Sequence, residues 1–261
     1  MTDHTALIAV EHVTHSFGGL VAVNDCSWSL DGGTIAALIG PNGAGKTTLA
    51  NLIAGALPVQ KGRIVFDGHD ISGKAPHAIA QLGIIRTFQI SKDFEKLTLL
   101  ENLLVAAPNQ PGESLLTAFF QPSKSNAAER RNLERAAELL NQFDLYHLRN
   151  EYASDISGGQ KRLLELARAV MAEPKLMLLD EPMAGINPAL IERVCKHLED
   201  IQKSGVTLLM IEHNLSVVES ICRWVTVMVE GKVLTSGTMA QLRQHRGVVD
   251  AYLGREVSGL A

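Results

Sequence analysis

Residues Gly40-Pro41-Asn42-Gly43-Ala44-Gly45-Lys46-Thr47 follow directly on the apolar run Ile35-Ala36-Ala37-Leu38-Ile39. This is the GxxxxGK[ST] pattern in the strand-then-loop setting that gives it meaning. Glycines at these spacings let backbone N–H groups curl around an anion with no Cβ in the way. Lys46 adds a mobile positive charge for the β- and γ-phosphates. Thr47 offers a hydroxyl to Mg²⁺ and opens a helix whose N-terminal dipole favours phosphate. That helix is expected from Lys46 to about residue 54, closed by Gly55. A glycine-rich turn matching by chance would need neither the apolar strand before it nor the helix after it. The pattern implies a nucleoside triphosphate ligand.

Later segments fit an α/β core with a parallel sheet. Residues 177–179 and 206–211 are continuous apolar runs, as expected for strands covered on both faces. Asn187-Pro188 is a good helix start, an N-cap followed by proline at the first helical position. The helix should run to about Lys203, with Gly205 closing it. Upstream, residues 7–13 alternate loosely, and residues 26–30 and 63–66 are short strand candidates, the last followed by the turn Asp67-Gly68.

The middle of the chain differs. Residues 108–126 carry Pro108, Pro111, Gly112 and Pro122 and read as a loop with at most a short helix at 114–120. Residues 127–143 have helical spacing, with Leu133, Ala136, Ala137 and Leu140 on one face and charges opposite. The charged face reads most simply as solvated surface. The expected organisation is a core of residues 1–91 and 166–237, a helical subdomain of about 92–165, and a helical tail of 238–261.

Composition narrows the function classes. A formal net charge of −4 does not suggest general nucleic-acid affinity, which usually needs a basic face. Cys26, Cys195 and Cys222 are far apart and form no CxxC pair, which argues against a zinc site or disulfide framework and suits a reducing compartment. No apolar run approaches the roughly 18 residues of a membrane span. Residues 1–4 have no signal-peptide character. If a membrane matters, another chain must supply it.

Two further clusters carry chemistry. Leu176-Met177-Leu178-Leu179-Asp180-Glu181 is an apolar strand ending in adjacent carboxylates, which places them at the carboxyl edge of the sheet beside the phosphate loop. Alternation along a strand gives the two different jobs. Asp180 suits a Mg²⁺ ligand, through water, and Glu181 suits polarising an attacking water. The second cluster, Ser157-Gly158-Gly159-Gln160, opens the helix beginning Lys161-Arg162-Leu163 and offers another anion-binding start. An ordinary N-cap would explain Ser157 but not both glycines.

With these motifs in this order, the chain resembles the ATP-binding subunits of ABC transporters. Their signature LSGGQ is matched here with Ile156 in place of leucine. The resemblance implies a P-loop NTPase core with an N-terminal antiparallel β-subdomain and an inserted α-helical subdomain. It implies that Phe17 stacks on adenine, although a buried strand residue is the alternative. Asn42, Gly43, Ala44, Gly45, Lys46, Thr47 and Thr48 would bind the triphosphate of ATP. Gln89 would sense the nucleotide and Mg²⁺ alongside Thr47 and Asp180, and His213 would contact the γ-phosphate beside Glu181. The loop 183–187 would cross to the opposite subunit, with Asn187 standing where many relatives carry aspartate. Residues 77–89, 97–103, 211–214 and 248–254 make the chain similar to the branched-chain amino acid importer branch.

The resemblance also implies a head-to-tail pair of cassettes, so that Ser157, Gly158, Gly159 and Gln160 of one close over ATP held by the other. Two permease subunits and an extracytoplasmic solute-binding protein would complete the importer, at the cytoplasmic face of the plasma membrane. A soluble ATPase of chromosome maintenance or translation is the alternative. Chromosome-organising chains insert a long coiled coil between the phosphate loop and SGGQ, and this chain has no sustained heptads there. Phe94, just after Gln89, is expected either under the helical subdomain or in a groove for a permease helix.

Overall fold

The computed structural model describes residues 6–87, 94–108 and 122–253. They group into two compact units. One takes the chain up to Arg86, Lys175–Gly185 and the part from Leu198 onward; the other takes Thr87–Pro174 and Ile186–His197.

The first unit holds two sheets. An antiparallel one has the order β2-β1-β4-β5, from β1 (Ile8–Phe17), β2 (Leu20–Leu30), β4 (Lys61–Phe66) and β5 (His69–Asp70). The first strand runs four residues past the alternation legible in sequence. Ile8 and Val10 are buried, then the register shifts between Val10 and Val13 with His12 at φ 51. A bulge of this kind resets which face each residue takes. The strand therefore continues, with His15 buried and Phe17 outside. Its partner β2 likewise extends well before the expected residue 26.

The second sheet has six strands in the order β10-β9-β3-β8-β7-β6. They are β3 (Ile35–Ile39), β6 (Ile84–Thr87), β7 (Leu176–Asp180), β8 (Thr207–Ile211), β9 (Trp224–Val229) and β10 (Lys232–Gly237). The central strands pair in parallel, β9 with β3, β3 with β8 and β8 with β7. Every residue of β3 and β8 is buried, which is why both read as unbroken apolar runs. At the sheet's edge β10 pairs antiparallel with its neighbour β9, through a tight turn at Glu230 and Gly231, both at positive φ.

In chain order the described α-helices are α1 (Lys46–Ile53), α2 (Pro76–Gln81), α3 (Leu99–Val105), α4 (Pro122–Gln142), α5 (Gly158–Met171), α6 (Pro188–Lys203), α7 (Leu215–Ile221), α8 (Met239–Leu242) and α9 (Arg246–Leu253). Leu49, Leu52 and Ile53 of α1 enter a core with Val10, Val13, Ile64, Phe66, Leu38, Leu178 and Ile211, so one apolar cluster serves both sheets. Trp28 Nε1 also donates to Thr226 Oγ1 at 2.8 Å, a buried bond between the sheets.

In the second unit, α3 starts at a capping box in which Thr98 accepts from the Glu101 N–H and Glu101 accepts from the Thr98 N–H. Two sequence expectations are corrected here. The helix α4 begins at Pro122, not near 127, because proline is well suited to a first helical turn. The buried stripe is Ala136, Leu139, Leu140 and Phe143, whereas Leu133 is 46% exposed, so packing stops one turn short of it. The expected short helix at 114–120 lies outside the described residues.

Cys26 sits fully buried in the shared core, and burial pushes its thiol up to about 11. A reagent needs the thiolate. Iodoacetamide at neutral pH should leave Cys26 unmodified in the folded protein and label it after denaturation. Rapid native labelling, read by peptide mass spectrometry, would contradict this packing.

Candidate nucleotide site

The loop from Gly40 to Gly45 leaves the end of β3 and enters α1 under tight backbone constraints. Gly40 has φ 148 and Gly45 φ 96. A Cβ on Gly40 would collide with the Met228 carbonyl oxygen, and one on Gly45 with that of Ala22. Both glycines are thus required by close approach as well as by φ. Lys46 is buried, and its Nζ donates to the carbonyls of Gly40 at 2.8 Å and Pro41 at 3.0 Å. The ammonium group braces the loop it belongs to. At the start of α1 no side chain caps the helix, and the positive end of its dipole faces the loop, which favours an anion there.

Above the loop lies an open cavity of about 320 Å³ lined by Phe17, Leu20, Val21, Ala22, residues 42–48, Glu181 and His213. Phe17 is 49% exposed, so it is not the buried strand residue that the sequence left as an alternative. Its ring meets His15 edge-on, with centroids 4.7 Å apart. His15 Nδ1 lies 3.1 Å from the Pro58 carbonyl, which requires Nδ1 to carry the proton. Glu181 stands one residue past β7 at φ 48, an uncommon conformation for a side chain of this kind, found often at functional sites. Its Oε1 lies 3.1 Å from His213 Nε2.

Asp180, the last residue of β7, is engaged beside the cavity. Its Oδ2 accepts from Arg86 Nη2 at 2.7 Å, and Arg86 Nη1 donates to Asn51 Oδ1 on α1. One guanidinium therefore joins β6, β7 and the helix that follows the phosphate loop. Among the described residues no group of three His, Cys, Asp or Glu is placed to hold a metal ion. A divalent cation here would draw on oxygens of Thr47, Asp180 and a bound phosphate, a donor set that suits a hard ion keeping several waters. Gln89 falls outside the described residues.

Ser157 and its neighbours belong to the second unit. Ser157 caps α5: its Oγ accepts from the Gln160 N–H at 3.3 Å, and Gln160 Oε1 accepts from the Ser157 N–H at 2.8 Å. The two glycines have different surroundings. A Cβ on Gly159 would lie 2.6 Å from Leu190 Cδ2, the tip of a half-buried side chain that can move aside. Gly158 faces open space, so the absence of a side chain there is free to serve a ligand. Asn187 caps α6 as read, accepting from the Leu190 N–H at 2.9 Å.

A family model described as ABC transporter matches residues 23–184. The chain belongs to the ABC transporter family. It is 37% identical over 252 residues to a probable branched-chain amino acid transport ATP-binding protein LivG of Archaeoglobus fulgidus, covering 97% of each. It is 37% identical to the high-affinity branched-chain amino acid transport ATP-binding protein BraF of Pseudomonas aeruginosa, covering 95% of this chain and 98% of the relative. The solved ADP conformation of an ATP-binding cassette of an ABC transporter superposes with a TM-score of 0.82 at 34% identity, covering 96% of this chain and 99% of that one.

Three residues near this ABC ATPase site escaped sequence reading: His15, Arg86 and Glu212. Arg86 had a signal, a charge inside the otherwise apolar start of a short strand. Glu212 had one too, a carboxylate directly after the buried β8. His15 had none, because the bulge hides which face it takes.

The glycine geometry separates two neighbouring substitutions. Gly43 has φ 79 but nothing within 4 Å of a built Cβ, whereas Gly45 meets backbone. Gly43→Ala should cost only the local strain, roughly 1–2 kcal/mol. Gly45→Ala should be clearly more destabilising and lose binding of a fluorescent ATP analogue. Equal melting and equal binding in the two variants would refute the close approach.

Proposed function

We propose that this chain is the ATP-hydrolysing subunit of an importer for branched-chain amino acids or related small polar solutes. The observation that carries the reading is the Glu181–His213 pair standing over a phosphate-loop cavity with an exposed aromatic at its rim. The transport roles named for its relatives support transport over the soluble alternative. Phe17 stacks on adenine. The N–H groups of residues 42–48 and the Lys46 ammonium hold the phosphates, with Lys46 exchanging its loop carbonyls for phosphate oxygens. Thr47 and Asp180 would hold Mg²⁺, which when bound offsets phosphate charge. Glu181 orients and polarises the attacking water, and His213 follows the γ-phosphate.

A second cassette, identical or related, supplies Ser157, Gly158, Gly159 and Gln160 to this nucleotide, and this chain returns the same residues to its partner. Two ATP molecules are closed between the pair, and hydrolysis removes the charge that held them shut. Glu181→Gln keeps the shape and loses basicity. Its kcat should fall at least about a hundred-fold while the affinity for ATP stays near wild type. Turnover like wild type would remove Glu181 from the chemistry.

No described helix is long and apolar enough to cross a membrane. Two permease subunits and a solute-binding protein, with the cassettes at the cytoplasmic face, complete the proposal. Phe94 is half-buried under the Arg168 guanidinium, 4.7 Å from the ring centroid, beside Asn102, Leu164 and Glu165. Burial pushes the Arg168 guanidinium down and the Glu165 carboxyl up, the latter opposed by Arg162 at 2.7 Å. An apolar ring held by a desolvated cation is a suitable floor for a permease helix. Phe94→Asp should lower the melting temperature by no more than about 5 °C and abolish solute uptake in the assembled transporter. A stable variant that still transports would place the groove elsewhere.

A further inference from the structure

The ladder between β7 and β8 ends where the chemistry begins. Asp180 pairs with Ile211, and the Glu181 N–H makes a last bond to the Ile211 carbonyl at 2.9 Å. Beyond that point Glu181 turns away at φ 48 into the loop 183–187, and the other chain continues through Glu212 to His213. Glu212 is 4% exposed and bridges the diverging chains. Its Oε1 accepts from the Met183 N–H at 2.9 Å. Its Oε2 accepts from the N–H groups of His213 at 3.0 Å and Asn214 at 3.2 Å.

Burying a carboxylate is costly unless donors meet it, and here three backbone donors do. An apolar residue of similar size would leave those N–H groups without this acceptor. The Glu181 and His213 side chains are 50% and 45% exposed, and exposed pairs of this kind hold little by themselves. Something beneath them must set their separation.

We propose that Glu212 is a positioning residue that fixes the backbone of His213 and of the turn after Glu181 in one frame, and so sets the Glu181–His213 contact over the nucleotide. Met183 also opens the loop read as crossing to the second cassette. A displacement of that loop therefore reaches His213 through one carboxylate. The proposal rests on Glu181 and His213 acting in hydrolysis.

Glu212→Gln tests it, because an amide has one acceptor oxygen and must turn its NH₂ toward an N–H donor in either orientation. With each variant assayed at the same interval below its own melting midpoint, kcat should fall roughly thirty-fold. The KM for MgATP and the Kd of a fluorescent ATP analogue should stay within about three-fold. In a His213→Ala background the same substitution should add less than about a two-fold loss, since residues acting as a unit are non-additive. A wild-type kcat, a rise in KM at constant kcat, or losses that multiply in the double variant would each overturn the assignment. If Glu212→Gln fails to fold, Glu212→Asp tests the bridge through reach instead. Its carboxylate is drawn back by one methylene from the Met183 and His213 N–H groups, and the same fall in kcat at steady KM is expected. Glu181→Gln measured in parallel separates the two ideas. Turnover in Glu181→Gln would sink the catalytic reading, whereas an inactive Glu181→Gln beside a fully active Glu212→Gln would sink only the role of Glu212.

Discussion

Backbone packed on backbone is the constraint from which this nucleotide site follows. The phosphate loop, β2 and the β9–β10 turn meet with no side chain between them. The Gly231 N–H donates to the Ala44 carbonyl at 3.0 Å, and the Asn24 N–H donates to the Gly231 carbonyl at 2.9 Å. Built Cβ atoms on Gly45 and Gly231 would both run into the backbone around Ala22. The antiparallel sheet is thereby held against the loop of the parallel sheet, and Phe17, at the far end of the β1–β2 hairpin, is carried to the rim of the cavity. An aromatic wall and a phosphate cradle from different sheets share one site because of this three-way contact.

The parallel sheet contributes the rest. Strands β3, β7 and β8 run in parallel as neighbours, so the loop after β3, Glu181 after β7 and His213 after β8 all emerge at one edge. None of these residues needs to be near another in sequence. Charge is then managed locally: Arg86 takes one oxygen of Asp180, Lys46 is braced by its own loop, and Glu212 sits beneath the Glu181–His213 contact.

Much of this was legible in the sequence where a motif has fixed spacing. The phosphate loop, the carboxylates at the end of β7 and the cap at Ser157 depend on residues within a turn or two of one another. The site residues Phe17 and His213 came from the order of motifs, and together with Glu181 they line one cavity with the loop. What could not be read was decided by contacts between distant parts of the chain. The bulge near His12 broke the alternation that would have carried β1 to Phe17. Gly159 lies against the Leu190 side chain, and Arg86 by itself resembles an ordinary charge until Asp180 and Asn51 are beside it. Pro122 looked like part of a loop because proline marks helix starts and loop ends alike.

The capping box at Ser157 has a further consequence. The Ser157 oxygen already accepts one bond and the Gln160 side chain is already committed, so the start of α5 is rigid before anything approaches it. What remains to offer outward is one hydroxyl proton and the N–H groups at a glycine with open space in front. Such a surface mainly donates, although the Ser157 oxygen keeps a second lone pair. It suits a polyphosphate that is already in place. Its ordering was completed during folding, so little conformational entropy is left to lose on contact. Recognition by that helix start would then depend on the charge state of what is presented to it, with almost no adjustment of its own shape.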